Sequence, residues 1–217
     1  MARIAVVGSL NLDVVMMVSA FPSPGETVLA SRHFTNPGGK GANQAVAAAR
    51  LGNQVSMIGA VGSDSEGRRL VEALKADGVD TAHVLRLDAA TGMAAIAVDA
   101  NAENTIAVGQ GANGAITADD LDPAADVIAA ADVVLMQLEI PLDVVERTAE
   151  LARGLVILNP APAQVLPNAL LDRIGVLVPN QHELAVLVGS EGQTRDLVPQ
   201  LSGPTDVVVT LGSEGAF

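Results

Sequence analysis

The 217-residue chain has no cysteine, no tryptophan and no tyrosine, only three phenylalanines, and two lysines, Lys40 and Lys75. Without cysteine there can be no disulfide scaffold, no thiolate metal site and no cysteine nucleophile. Three aromatics are too few for a base-stacking platform. Basic residues are also scarce: twelve Lys plus Arg stand against twenty-five Asp plus Glu, a formal charge of −13. Such a chain repels phosphate backbones and anionic lipid, so neither nucleic acid nor a membrane surface is an expected partner. Long apolar runs are missing as well. Ile4–Val7 stops at Gly8, too short for a signal h-region, and Leu155–Leu171 is interrupted by Pro160, Pro162 and Pro167. These absences predict a cytoplasmic protein. His33, His83 and His182 are scattered without metal-ligand spacing, and neither H-E-x-x-H nor G-x-S-x-G occurs.

What is present is a dense apolar pattern, 49% of the chain, enough for the core of a single α/β domain over residues 1–217. Continuous Val/Ile/Leu runs at Arg3–Gly8, Val55–Val61, Asp132–Leu138, Leu155–Asn159, Gly175–Val178 and Asp206–Leu211 predict strands buried on both faces. Helices are expected at Gly41–Leu51, Ser65–Ala76, Thr117–Ala130, Pro141–Arg153 and His182–Val188. This alternation predicts a mostly parallel sheet between helical layers. Two stretches break the rhythm. Asp13–Pro37 reads as extended segments Val14–Val18 and Glu26–Phe34, and Thr91–Gln110 as a hairpin of Met93–Asp99 and Asn104–Val108. Both are expected to be antiparallel excursions forming a small β lid. The chain closes on a strand and the turn Gly212-Ser213-Glu214-Gly215 with only Ala216 and Phe217 after it, so it reads as cut within a hairpin, with Val207, Val208 and Val209 expected to be left exposed.

Several glycine-rich segments invite a ligand. Gly109–Gly114 formally fits G-x-G-x-x-G but follows no first strand of a βαβ unit, which argues against a dinucleotide site. Pro37–Asn43 has the wrong spacing for a Walker A loop and no Ser or Thr after its lysine. It does place Gly38, Gly39, Lys40 and Asn43 at a helix start, where backbone N–H groups can form a donor cradle. Asn11 and Asp13 follow the first strand and share a side; Glu139 follows a later strand in the same way. Amide plus carboxylate is suited to sugar hydroxyls, though Asx turns explain either residue alone. Asn180 and Glu183, three apart at a helix start, can manage hydrated Mg²⁺ near phosphates or can simply cap the helix.

Together Gly8–Asp13, Gly38–Ala45, Leu135–Glu139, Leu158–Pro162, Pro179-Asn180 and Thr210–Gly215 resemble the ribokinase-like (PfkB-type) carbohydrate kinases. The family's first signature runs from Gly38-Gly39-Lys40-Gly41-Ala42-Asn43 to Gly62. The resemblance implies an α/β/α sandwich with a mostly parallel sheet and a lid at residues 13–37 and 91–110. It implies transfer of the ATP γ-phosphoryl group to the 5-hydroxyl of D-ribose. Asn11, Asp13, Gly39, Lys40, Asn43 and Glu139 would hold the sugar, with Ala94, Ile96 and Val108 over it. Asn180, Thr210, Leu211, Gly212, Ser213, Glu214 and Gly215 would meet ATP, and Glu183 would act indirectly on Mg²⁺ and phosphate. The family also uses K⁺, and its catalytic aspartate lies in a G-A-G-D signature expected beyond Phe217, so residues 1–217 are expected to be inactive alone. Fructose, nucleoside or ketodeoxygluconate kinases of the family, or a sugar-binding module without catalysis, are the alternatives. The lid run Val14–Val18, apolar on both faces, predicts a homodimer through the lids.

Overall fold

The computed structural model describes residues 1–217. In chain order it contains β1 (Arg3–Val7), β2 (Asn11–Met17), β3 (Arg32–Gly38), α1 (Lys40–Arg50), β4 (Gln54–Gly62), α2 (Ser65–Ala76), β5 (Asp80–Leu87), β6 (Gly92–Val98) and β7 (Asn104–Gly109). There follow α3 (Ala125–Ala130), β8 (Val133–Met136), α4 (Leu142–Leu151), β9 (Leu155–Leu158), α5 (Asn168–Leu171), β10 (Val176–Leu177), α6 (Gln181–Val188), α7 (Thr194–Leu197) and β11 (Asp206–Val207). Seven strands form one sheet in the order β11-β10-β9-β8-β1-β4-β5, and every pairing in it is parallel.

The unbroken apolar runs are explained by burial on two faces. In β1, Ala5 and Val7 enter the core beneath α3 and α4, while Val6 enters the core beneath α1 and α2. Strand β4 divides in the same way, Ile58 and Ala60 to one side and Met57 and Val61 to the other. Helix α2 supplies Leu70, Val71 and Leu74 to the second core, all buried.

The expected lid is present as a second sheet, ordered β3-β2-β6-β7. One correction concerns direction: β2 pairs antiparallel with β3, but β2 and β6 run parallel. Another concerns extent. Glu26–Ser31 carries no ladder, and the strand lies later, at Arg32–Gly38. Thr117–Ala130 is not one helix: Pro123, which lacks an N–H, sits in a 3₁₀ segment over Ala118–Ala124, and only Ala125–Ala130 is α-helical. At its start Thr117 donates from its N–H and hydroxyl to Asp120 Oδ2 at 2.9 and 2.8 Å. Asp206–Leu211 shortens to Asp206–Val207. Beyond it Val209 exchanges two backbone hydrogen bonds with Phe217, so Val209 is fully buried where exposure was expected, although Val208 is exposed.

Asp64 ties the lid to the sheet. It caps α2 by accepting from the Gly67 N–H at 2.8 Å, and it accepts from the Thr91 N–H at 2.8 Å and the Thr91 hydroxyl. Burial works to raise its pKa, but the bonds from Thr91 and Gly67 outweigh that and hold it below the ordinary carboxylate value. A depressed carboxylate stabilises the fold above the unfolded-state pKa of about 3.9, and the contribution is lost as pH falls through the lower folded value. We expect Asp64→Ala to cost about 1–2 kcal/mol at neutral pH. In urea melts its deficit against the unmutated chain should shrink as the pH is taken below about 4; a deficit that stays constant with pH would assign the loss to packing alone.

Candidate functional site

The order of the large sheet reverses at β1. From β1 the chain builds outward through β4 and β5, then returns to the other side of β1 with β8 and continues to β11. The crevice outside the carboxyl ends of β1 and β8 is therefore the switch point at which open α/β sheets bind ligands. A cleft of about 660 Å³ opens there, lined by Asn11, Asp13, Gly39, Lys40, Asn43 and Glu139, by Ala94, Ile96, Ile106, Val108 and Gln110 from the lid and its exit, and by Ala161, Pro162 and Glu183. All six predicted sugar-facing residues are thus in one place. Ala94, Ile96 and Val108 roof them as expected. The roof follows from register: Asp13 pairs with Ala94 and Ala94 with Val108, while Val15 pairs with Ile96 and Ile96 with Ile106.

The glycines at the start of α1 permit a close approach. A Cβ at Gly39 would stand 2.7 Å from the Asn11 nitrogen, and one at Gly41 would stand 2.6 Å from the Ser9 nitrogen. Gly39 also has φ 93, the left-handed region. At Gly38 a Cβ would overlap the Asp13 carboxylate. The helix start is therefore pressed onto the segment between β1 and β2.

The expected open donor cradle is corrected by what fills it. Lys40 N–H donates to Glu139 Oε2 at 3.1 Å, Gly41 N–H to Ser9 Oγ at 3.3 Å, and Ala42 N–H to the Ser9 carbonyl at 2.9 Å. The Ser9 hydroxyl donates in turn to Glu139 Oε2. A carboxylate held at a helix N-terminus is electrostatically favoured, so the protein itself supplies the anion. Glu139 keeps Oε1 beside Lys40 Nζ, 3.7 Å away. Asp13 is half-buried in the same cleft. Its desolvation raises its pKa, the Glu139 charge raises it further, and Lys40 pulls it back down. The six predicted residues thus offer two carboxylates, one ammonium and two side-chain amides, a set matched to groups that both donate and accept, such as hydroxyls.

Of the remaining predicted residues, only Glu183 lines the cleft. Asn180 and Glu183 form a reciprocal cap on α6: Glu183 N–H donates to Asn180 Oδ1 at 2.8 Å, and Asn180 N–H donates to Glu183 Oε2 at 2.8 Å. Asn180 Nδ2 donates to Glu183 Oε1 at 2.9 Å. Both carboxylate oxygens are engaged, and no group of three acidic or histidine side chains gathers to hold a metal. The Glu183 carboxylate is thus held in place by its own cap. Thr210, Leu211, Gly212, Ser213, Glu214 and Gly215 do not line the cleft. They form a turn beyond β11, with Thr210 bridged to Asn180. Gly212 and Gly215 have φ 61 and 92 with open space at their Cβ positions. That turn is an exposed loop on the same sheet edge.

Six residues of the site are given no role by the sequence: Ile106, Gln110, Ala161 and Pro162, which line the cleft, and Ser9 and Asn113, which hydrogen-bond to its Glu139 and Asn11. Ser9 stands in the Gly8–Asp13 segment without a role of its own, and Asn113 lies inside a G-x-G-x-x-G match that its context argues against.

Fold and site define an α/β protein with a polar cleft at its switch point and a second sheet as a lid over it. Over residues 1–217 the chain matches the profile of the pfkB family carbohydrate kinases. It is 42% identical to the ribokinase of Haemophilus influenzae over 224 residues, covering 99% of this chain and 73% of that one. It is 38% identical to the ribokinase of Schizosaccharomyces pombe, covering all of this chain and 74% of the relative. The structure of Arabidopsis thaliana ribokinase complexed with ribose and ATP superposes with a TM-score of 0.88 at 32% identity, over 99% of this chain and 73% of that one. The chain belongs to the pfkB carbohydrate kinase family, and it spans about three quarters of the length of these relatives.

The glycine contact yields a sharp test. Gly38→Ala should leave α1 and the fold intact by circular dichroism, yet displace the Asp13 carboxylate. Sugar affinity should drop at least as far as in Asp13→Ala, and equal affinity to the unmutated chain would mean the carboxylate has room that the geometry denies it.

Proposed function

We propose that this chain carries the sugar site of an ATP-dependent ribokinase that phosphorylates D-ribose on its 5-hydroxyl. The observation that carries the reading is the convergence of Asn11, Asp13, Gly39, Lys40, Asn43 and Glu139 on one cleft at the switch point, in a chain about 40% identical to ribokinases over its whole length. Asn11, Asp13, Lys40 and Glu139 bind the hydroxyls, and the lid residues Ala94, Ile96, Ile106 and Val108 exclude water above them. Asn180 and Thr210–Gly215 receive ATP, which supplies the phosphoryl group. Glu183 orders hydrated Mg²⁺ from its capped position, and K⁺ is the monovalent activator. Residues 1–217 contain no G-A-G-D sequence, so by the family resemblance the base that takes the hydroxyl proton is not among them. We further assign the outer lid face, where Met16 is 37% and Met93 43% exposed, to a homodimer contact, and the enzyme to the cytoplasm; no helix is long and apolar enough to cross a membrane.

Titration calorimetry with D-ribose tests the site. Lys40→Ala and Asp13→Ala should each weaken binding roughly ten- to a hundredfold, the cost of stripping a charge-assisted hydrogen bond. Unchanged affinity in both variants would remove them from the site. Acidification should also weaken binding. Ionised Asp13 accepts from a hydroxyl in a charge-assisted bond that protonation weakens, and since its pKa is raised, affinity should fall at a higher pH than an ordinary aspartate would impose. In a coupled ADP-release assay with ribose, Mg²⁺ and K⁺, residues 1–217 should show no turnover, since general-base assistance alone is worth roughly 10²–10⁴-fold. Turnover typical of a sugar kinase would place the base inside this chain.

A further inference from the structure

The run Gly109–Gly114 has a use in this fold that its dinucleotide-like spacing does not suggest. It closes the lid, and within it Asn113 is only 1% exposed. Asn113 Oδ1 accepts from the Leu10 N–H at 2.9 Å, while its Nδ2 donates to the Leu10 carbonyl at 3.0 Å and to Asn11 Oδ1 at 2.8 Å. The direction of each bond is forced. A backbone N–H can only donate, so the Asn113 atom facing it is the oxygen, and the other must be the NH₂ group. That group gives one hydrogen to a carbonyl, which can only accept, and the second to Asn11. Asn11 therefore turns its carbonyl oxygen toward Asn113, and its own NH₂ toward the opposite side. There the NH₂ finds no protein partner, and Asn11 lines the cleft. A second feature protects the arrangement: a Cβ on residue 92 would overlap both Asn113 Nδ2 and Asn11 Oδ1, so the amide pair closes only because that residue is Gly92.

We infer that Asn113 is a positioning residue that locks the Asn11 amide with its NH₂ toward the cleft. Asn11 and Asp13, two apart on one face of β2, then present a donor beside an acceptor. The ligand this pair selects carries neighbouring hydroxyls, one accepting from Asn11 and one donating to Asp13. A ligand with the reverse polarity leaves both groups unmatched in a half-buried site, which is expensive. The choice of ribose as the hydroxyl-bearing ligand rests on the function proposed above; the amide orientation does not.

Two measurements on the 217-residue chain separate these claims. Hydrogen exchange of side-chain amides, followed by NMR, needs no ligand: the Asn113 NH₂ should exchange slowly and the Asn11 NH₂ fast. An Asn11 NH₂ protected like that of Asn113 overturns the proposal. Calorimetry then uses D-ribose against Asn113→Asp, Asn11→Ala and the double variant. In Asn113→Asp a carboxylate oxygen faces Asn11, and the Asn11 amide should turn its NH₂ away from the cleft. Ribose affinity should fall roughly tenfold or more, with no further loss when Asn113→Asp is added to Asn11→Ala. Losses that multiply in the double variant would show Asn113 acting only through general packing and would sink the inference. If the unmutated chain takes up no ribose while the exchange pattern holds, the ribose reading fails and the amide orientation stands.

Discussion

Everything at the functional edge of this protein depends on one steric constraint: the start of α1 lies in backbone contact with the segment joining β1 to β2. Gly39 and Gly41 have main-chain atoms of Ser9, Leu10 and Asn11 where a side chain would be. Because the two segments touch, Ser9 can hand its hydroxyl to Glu139 and its carbonyl to the Ala42 N–H. Glu139 is thereby held at the helix N-terminus, and Lys40, the first residue of α1, is brought to its other oxygen. A single larger residue at either glycine would separate β1, α1 and the end of β8 together. The site is one object, not six independent contacts.

Charge then shapes that object. Two carboxylates, Asp13 and Glu139, share a half-buried cleft with one lysine, and the balance is uneven. Glu139 accepts from a hydroxyl and a backbone N–H and faces the ammonium, so its charge is well compensated. Asp13 receives no such bonds and is held by distance alone from Lys40, which is why burial and its neighbour push its pKa upward. An under-satisfied carboxylate next to an unpartnered amide NH₂ stores binding capacity for a polar ligand, since hydroxyls can satisfy both at once.

Much of this is legible in the amino-acid sequence alone. Unbroken Val/Ile runs mark strands buried on two faces, and β1, β4 and β8 bury them as expected. Strand β5 is not legible in this way because it lies at a sheet edge and reads Asp-Thr-Ala-His-Val-Leu-Arg-Leu, too mixed to stand out from a loop. The break in the helix before β8 is signalled only by Pro123 and its missing N–H, set among residues that otherwise keep a helical pattern. The six sugar-facing positions are legible because glycine pairs, a rare lysine and short polar residues at strand ends are conspicuous. Asn113 is not, because its partners are the backbone of Leu10 and the side chain of Asn11, about a hundred residues away. No local pattern encodes a bond of that span. The helix-start donors look free in the sequence for the same reason: Glu139, which fills one of them, is 99 residues from Lys40.

The topology also explains why the six cleft residues gather in one place while the Thr210–Gly215 turn stands apart. The residues read as sugar-facing come from β2 (Asn11, Asp13), the start of α1 (Gly39, Lys40, Asn43) and the segment after β8 (Glu139), and they meet outside the ends of the adjacent strands β1 and β8. The Thr210–Gly215 turn follows β11, three strands from β8 in the order β8-β9-β10-β11. Neighbouring strands are about 4.8 Å apart, so the two regions are separated by roughly 14 Å along one sheet edge. Between them stands α6, which follows β10 and carries Glu183 into the cleft while Asn180 touches the Thr210 turn. The reciprocal cap of Asn180 and Glu183 therefore does two things with one set of bonds. It starts the helix, and it holds the Glu183 carboxylate at the cleft while Asn180 stands beside the Thr210 turn. Capping and function need not compete for these residues, because the cap is what sets the carboxylate's position.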